Sequence, residues 1–182
     1  MNRAFKILGI LIIVAGVSAI LYWFIDRRIS VKVANDFLNA VQSRDWRTVA
    51  KLIHPAEREK LGLTPEQIRR IGENLLLPLQ QRLRAPSGLR LTENPFLPTP
   101  EEEQHFKNSY FFRILRGDKE GAFILVTKTK EGWRVNFSLF TYTVVAEAAE
   151  QGILLRQQIR PILWKAGIFQ IFIGQESIPL PP

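Results

Sequence analysis

The longest apolar run in the chain lies near its start. Residues 7–25 contain no charged side chain, and three charged residues follow directly at positions 26–28. At a rise of 1.5 Å per residue this run would form a helix of about 28 Å, close to the ~30 Å hydrocarbon thickness of a bilayer. Tyr22 and Trp23 lie at its carboxyl end, where aromatic rings favour the headgroup level. The pattern predicts a transmembrane helix within residues 1–28, inserted in a lipid bilayer through residues 7–25.

The same segment has features of a cleavable export signal. Arg3 and Lys6 give it a basic start, and the small residues 17–19 fit a signal-peptidase site after Ala19. The apolar run continues to residue 25, past the ~7–15 apolar residues usual in a signal peptide. We therefore predict an uncleaved signal-anchor, with a secreted domain released after Ala19 as the alternative. Basic residues flank the run on both sides, and the short tail favours a single-pass protein of the cell membrane whose domain lies outside the cytoplasm.

Apolar residues that recur every three or four positions predict helices after the anchor. Ser30 can cap the first of these helices, and Asp45 can cap a second over residues 46–53. The second is expected to end before Pro55, because the residue before a proline is pushed out of the α region. The predicted inward positions of these two helices are Ala34, Phe37, Leu38, Val41, Trp46, Val49, Ala50 and Ile53.

The third helix has the clearest start in the chain. Thr64 and Gln67 can form a capping box around Pro65, which costs nothing at the first helical position. Pro78 is expected to kink or end this helix near Leu77. A loop rich in proline and glutamate follows over residues 85–104, with a short strand at residues 89–92.

Alternating apolar and polar positions predict an antiparallel meander in the second half of the chain. Its strands are expected at residues 109–115, 122–129 and 133–139. A helix over residues 146–160, a strand over 168–173 and a polyproline-like tail over 177–182 complete the pattern. The chain thus divides into residues 1–28 as tail and anchor, 29–176 as one α+β domain, and 177–182 as a Pro-rich tail.

Charge changes this picture little. The formal net charge is +8, but no block of five like charges occurs and the signs alternate. Nucleic-acid binding would require a clustered basic face with interleaved aromatics, so we expect no nucleic-acid partner. A mixed, solvated surface near anionic lipid headgroups fits better. The chain has no cysteine, which suits either side of a membrane.

The order of the predicted helices and strands is similar to that of a known fold. The stretch "VANDFLNAVQSRDWRTVAKLIHP" has an amphipathic helix, a polar break, a Trp-led second helix and an end near Pro55. Over residues 31–55, and again over 110–145, the chain resembles the cone-shaped α+β domains of the nuclear transport factor 2-like (cystatin-like) superfamily. That resemblance implies helices folded over a curved antiparallel sheet around a pocket. The layout is also similar to that of inner-membrane scaffolds of type IV secretion systems, which implies protein partners in a membrane assembly.

Chemistry-bearing residues are few. His54 and His105 have no cysteine to join them, so we predict solvent-exposed histidines and no metal site. Tyr110 and Tyr142 could point into a cone-shaped site. A ketosteroid-isomerase-like site would also need an aspartate base, and no aspartate falls on a predicted strand. We therefore assign no catalytic residue and no cofactor. The residues that could line a pocket, although core packing is the commoner role at this spacing, are Trp46, Tyr110, Trp133, Phe137 and Tyr142.

Together these patterns predict an α+β protein with an N-terminal transmembrane helix and a cone-like domain. The leading hypothesis is a single-pass membrane-anchored binding or scaffold protein. A membrane-tethered enzyme that uses the cone as its active site is the alternative from a different functional class, and the secreted binding domain is the other.

Overall fold

The computed structural model describes residues 3–83, 90–92, 106, 108–117 and 119–180, and of residues 3–11 the backbone only. The fold is α+β, with helices packed on a curled antiparallel half-barrel sheet. The helices are α1 (Arg3–Gln42), α2 (Trp46–Leu52), α3 (Pro55–Lys60), α4 (Pro65–Ile71), α5 (Leu77–Arg82), α6 (Phe137–Glu150) and α7 (Ile159–Lys165). The strands are β1 (Arg90–Leu91), β2 (Ser109–Arg116), β3 (Lys119–Thr129), β4 (Gly132–Val135), β5 (Gln170–Ile173) and β6 (Glu176–Pro179).

Helix α1 is a single uninterrupted helix of 40 residues. The prediction that a separate helix starts at Ser30 is therefore wrong, and Ser30 lies buried inside α1 with its hydroxyl donating to the carbonyl of Arg27. Residues 12–25 leave their large apolar side chains 46–66% exposed, while Phe37 and Val41 are fully buried. One helix thus joins an exposed apolar half to a half that forms part of the core.

Among the described residues, no helix has an apolar stretch of the length and hydropathy required to span a bilayer. The predicted span begins at residue 7, so its first part falls on residues 7–11, whose side chains lie outside the described part.

The two caps predicted downstream are confirmed. The Asp45 side chain accepts from the amide of Thr48 at the start of α2. Thr64 and Gln67 form the reciprocal capping box that begins α4. Both signals are local, because the capping residue and the amide it satisfies lie three positions apart.

Pro78 does not end the third helix. A π-helical turn, Gly72–Leu76, joins α4 to α5 without a gap. Pro78 therefore lies in the first turn of α5, where a proline is tolerated although it has no amide donor. The bulge also places Gly72 directly against the indole of Trp46.

Gly72→Ala is expected to lower the free energy of unfolding by about 1–3 kcal/mol, because the added methyl group would overlap the Trp46 ring. Urea unfolding of the full chain in a mild detergent measures this change. Gly16→Ala is the matched control, since no atom of the described residues lies within 4 Å of the added group in α1. Equal effects of the two variants would show that Trp46 is not seated on Gly72.

The sheet has the order β1-β2-β3-β4, and all its pairs are antiparallel. Strands β2 and β3 confirm the first two strands of the predicted meander, with Tyr110 opposite Val126 and an irregularity between Arg113 and Leu115. Strand β1 confirms part of the predicted strand at 89–92. Most of the predicted loop over 85–104 lies outside the described residues.

The third predicted strand is wrong beyond Val135. Strand β4 ends there, and α6 begins at Phe137, although the alternation of apolar residues continues to Leu139. The helix predicted over 146–160 is displaced as a result. Helix α6 ends at Glu150, and Gly152 then adopts a positive φ of 71° that stops helical propagation.

The carboxyl-terminal strand is confirmed as β5, but the polyproline-like tail is wrong for residues 177–179. These residues belong to β6, which pairs with β5 so that Ile171 faces Ile178. A turn through Gly174 joins the two strands. The amide of Phe172 donates to the Ser138 hydroxyl at 2.9 Å and thereby ties this hairpin to α6.

The core lies between the second half of α1, helix α6 and the inner face of the sheet. Phe37 of α1 meets Phe140 of α6 edge-to-face at 5.1 Å and Phe137 at 6.4 Å. All three rings are fully buried, so the volume between these two helices is filled with aromatic side chains.

Candidate functional site

Lys128 connects the exposed half of α1 to the sheet. Its ammonium group donates to Asp26 Oδ2 and to the Tyr22 hydroxyl, each at 2.6 Å. It also lies 4.6 Å from the centre of the Tyr22 ring and 5.7 Å from that of Trp133. The hydrogen bond to Asp26, followed by the one to Tyr22, holds the pKa of Lys128 above its ordinary value. The helix and the domain therefore meet in a charge-assisted contact at the end of the apolar run.

Tyr110 and Trp133 complete this junction. Their rings are 5.2 Å apart, and they lie on strands β2 and β4, which flank β3 on either side. Burial, followed by the charge of Asp26, raises the pKa of Tyr110. The structure thus brings together two of the five predicted pocket residues, beside α1.

The other three predicted pocket residues lie elsewhere. Trp46 packs on Gly72 beneath α4, and Phe137 packs against Phe37 in the core. Tyr142 is half-buried on α6 against the same core. The pocket that the resemblance implies is therefore not assembled from these five side chains.

Glu57 is a buried carboxylate that the sequence patterns did not indicate. It lies on α3 and is fully buried, with Oε2 accepting from the amide of Phe137 at 2.8 Å and Oε1 accepting from the amide of Ser138. These are the first amides of α6, which would otherwise lack partners. Burial raises the pKa of Glu57 to about 7, against the lowering effect of the hydrogen bonds from Ser138 and Phe137. No local sequence signal links residues eighty positions apart.

A chain of buried polar groups continues from the same end of α6. The Thr127 hydroxyl donates to Asn136 Oδ1 at 2.7 Å, and the Ser109 and Thr127 hydroxyls lie 3.0 Å apart. Asn136 Nδ2 donates to the carbonyl of Gly174 at 3.0 Å. This chain connects β2, β3, the start of α6 and the β5–β6 turn, so it fixes their mutual positions.

The far end of α6 holds a buried ion pair. Arg116 Nε lies 2.7 Å from Glu147 Oε1, and its Nη2 donates to Oε2 at 3.2 Å. The amide of Ala122 donates to the same carboxylate at 2.9 Å. A side chain at Gly121 would overlap Glu147, so this close approach requires glycine. Arg116 lies just past the strand predicted over residues 109–115, and the sequence patterns missed its pairing with Glu147.

His54 lies in a cleft of about 280 Å³ where three turns meet. The prediction of an exposed histidine is wrong here, because the side chain is buried and its two ring nitrogens have no hydrogen-bond partner among the described residues. Burial, and then the charge of Arg134, lowers the pKa of His54. His105 lies outside the described residues. The residues that line this cleft are His54, Pro55, Ala56, Thr129, Lys130, Glu131 and Gln175.

A second cleft, of about 350 Å³, lies at the opposite end of α2. Three guanidinium groups line it, but two carboxylates, Asp45 and Glu66, lie among them. Asp45 is already engaged by the Thr48 amide and hydroxyl. The arginines are Arg44, Arg47 and Arg69.

The buried carboxylates are committed to the protein itself. Both oxygens of Glu57 accept backbone amides, and both oxygens of Glu147 meet Arg116. Within the described part of the chain, no three His, Asp or Glu side chains lie close enough together to hold a metal ion. These buried carboxylates hold α6 and the sheet in position. The groups that remain available to a partner therefore lie on the surface of the domain.

A scan against protein-family models and searches of curated proteins and of solved structures each find no match. The resemblance to the nuclear transport factor 2-like superfamily therefore stays a prediction.

Proposed function

We propose that this chain is a single-pass membrane-anchored binding or scaffold protein. Residues 7–25 insert in the bilayer, and the α+β domain is held at the membrane surface outside the cytoplasm. The observation that supports this most directly is the continuity of α1, which carries an exposed apolar half and a buried half without a break.

The exposed apolar half of α1 is expected to be buried against another apolar phase. Ten large apolar side chains between residues 12 and 25 are exposed. Apolar surface left in water costs roughly 25 cal/mol per Å², and these residues offer no polar stripe to face the solvent. A lipid bilayer covers such a helix from every side.

The filled interior of the domain favours a binding role over an enzymatic one. Trp46 and Phe137 are core residues. Glu57 accepts hydrogen bonds from backbone amides, and Glu147 is paired with Arg116. A cone-type active site needs a carboxyl or phenol that is open to a substrate. Partners are therefore expected to bind at the surface, as in a membrane assembly.

The uncleaved form is favoured over the secreted one. Cleavage after Ala19 would cut α1 and leave Ile20–Ile25 exposed at a new terminus, where Tyr22, which contacts Lys128, would be the third residue. The intact helix keeps that contact within a continuous hydrogen-bonded element.

Carbonate washing of membranes tests the anchor. The full chain is expected to stay in the pellet, whereas the variant Val14→Lys with Ile20→Lys is expected in the supernatant, because each lysine near the centre of a span costs about 2.5–3.5 kcal/mol. Asn35→Lys with Asn39→Lys is the matched control, since these exposed positions lie beyond the run. Release of the unaltered chain by carbonate would overturn the proposal.

Two further measurements test the scaffold role and the orientation. Crosslinking in intact membranes is expected to give adducts larger than the monomer, and an isolated monomer would contradict a scaffold. A periplasmic-type reporter fused after Pro182 is expected to be active, as the domain is placed outside the cytoplasm. Activity of a cytoplasmic reporter at the same position would reverse that orientation.

A further inference from the structure

The direction of β4 along α1 identifies which end of the domain faces the apolar half of the helix. Trp133, near the start of β4, lies beside Lys128, which holds Tyr22 and Asp26. Phe137, just past its end, packs against Phe37, which is further along α1. Following β4 backwards therefore leads toward the amino-terminal half of the helix, and the β3–β4 turn lies at that end.

Three turns converge there. The cleft beside His54 is formed by the start of α3, the β3–β4 turn and the β5–β6 turn. Lys130 and Gln175 reach it from the two hairpins, and both are exposed. His54 also lines it, with both of its ring nitrogens buried. The cleft therefore offers an ammonium group and an amide to one ligand, beside the carboxylate of Glu131.

The same end of the molecule carries unpaired positive charge. Arg28, Lys32 and Lys130 are exposed, and none forms an ion pair with another described residue. Arg28 lies about 5 Å and Lys32 about 10 Å along the helix from Ile25, within roughly one Debye length of a membrane surface at Ile25. Of the acidic residues nearby, Asp26 is engaged by Lys128 and Glu131 by Arg134 at 3.7 Å, and Asp36 lies one turn beyond Lys32 on α1.

From this juxtaposition we infer that the membrane-proximal end of the domain binds the headgroups of anionic phospholipids, with a headgroup phosphate seated in the cleft beside His54 and Lys130. The inference rests on the proposed membrane anchor and names its lipid partner. The rigid continuity of α1 holds this end at the bilayer surface, so binding requires no separate recruitment. The arginine cleft at the other end of α2 lies past the end of α1, which is about 25 Å along the helix from Ile25, too far to reach the same headgroups.

Energy transfer to labelled lipids tests the inference. The full chain is reconstituted in phosphatidylcholine vesicles that contain a trace of dansyl-labelled phosphatidylglycerol or dansyl-labelled phosphatidylcholine. Trp23 and Trp133 lie at the junction and act as donors. Transfer to the anionic lipid is expected to exceed transfer to the neutral lipid by at least the roughly fivefold preference that one cation at the surface provides, and to fall as salt is added.

Two triple variants distinguish an effect of the membrane-proximal cations from an effect of net charge. Arg28→Gln, Lys32→Gln and Lys130→Gln together should abolish the preference. Arg44→Gln, Arg47→Gln and Arg69→Gln remove the same charge at the far end and should retain it. Lys130→Gln alone should reduce the preference if the cleft holds the phosphate.

The possible failures can be told apart. Equal transfer to both lipids from a vesicle-bound chain overturns the lipid inference and leaves the anchor intact. Equal loss of preference in both triple variants also overturns it, because net charge would then be the cause. A chain that does not sediment with vesicles overturns the proposed function itself.

Discussion

Glu147→Ala is expected to lower the free energy of unfolding by about 3–5 kcal/mol, because it leaves the Arg116 guanidinium buried without a counter-charge. It also removes the acceptor of the Ala122 amide. Urea unfolding of the full chain in a mild detergent, followed by tryptophan fluorescence, measures the loss. Breaking one side of a buried pair costs more than removing both sides, so Arg116→Met combined with Glu147→Leu is expected to cost less than Glu147→Ala alone.

A surface pair between β2 and β3 supplies the control. Arg113 and Glu120 lie 3.1 Å apart, but their side chains are 41% and 55% exposed. Glu120→Gln is expected to cost less than about 1 kcal/mol, since exposed ion pairs contribute little. If Glu147→Ala cost no more than this control, the Arg116–Glu147 pair would not be buried in the folded protein.

The features that sequence reasoning predicted correctly are those set by nearby residues. The Asp45 cap, the capping box of Thr64 with Gln67, and the strands on either side of Gly117 each depend on residues only a few positions apart. The apolar positions of the first helix were also right, because burial at Phe37 and Val41 follows from their spacing. Tyr110 and Trp133, two of the five residues predicted to line a pocket, are in contact.

The features it missed depend on distant partners. Trp133, Val135, Phe137 and Leu139 alternate as a strand would, yet the chain turns into α6 at Phe137. The amides that open this helix are satisfied by Glu57, which lies on α3 and cannot be recognised as a cap from local spacing. Burial of His54 and pairing of Arg116 with Glu147 have the same origin. Only the assembled fold brings these groups together.

Glu57 is expected to make the domain less stable as the pH rises from about 4.5 to about 7. Burial raises its pKa from 4.5 to about 7, so the folded state binds a proton more tightly than the unfolded chain does. The stabilisation is complete below the unfolded pKa of 4.5 and is lost as the pH passes the folded pKa near 7. The difference between these two values corresponds to about 3 kcal/mol.

Subtracting the stability of Glu57→Gln from that of the unaltered chain at each pH isolates this contribution, because the other titrating groups cancel. The difference is expected to fall by about 3 kcal/mol across the window, whereas Glu59→Gln, an exposed change on the same helix, should give a flat line. A difference that rises with pH would mean that the two amides of α6 outweigh burial and hold Glu57 ionised. Glu57 would then cap α6 as a charged group at every physiological pH, and protonation below pH 4.5 would weaken the start of that helix.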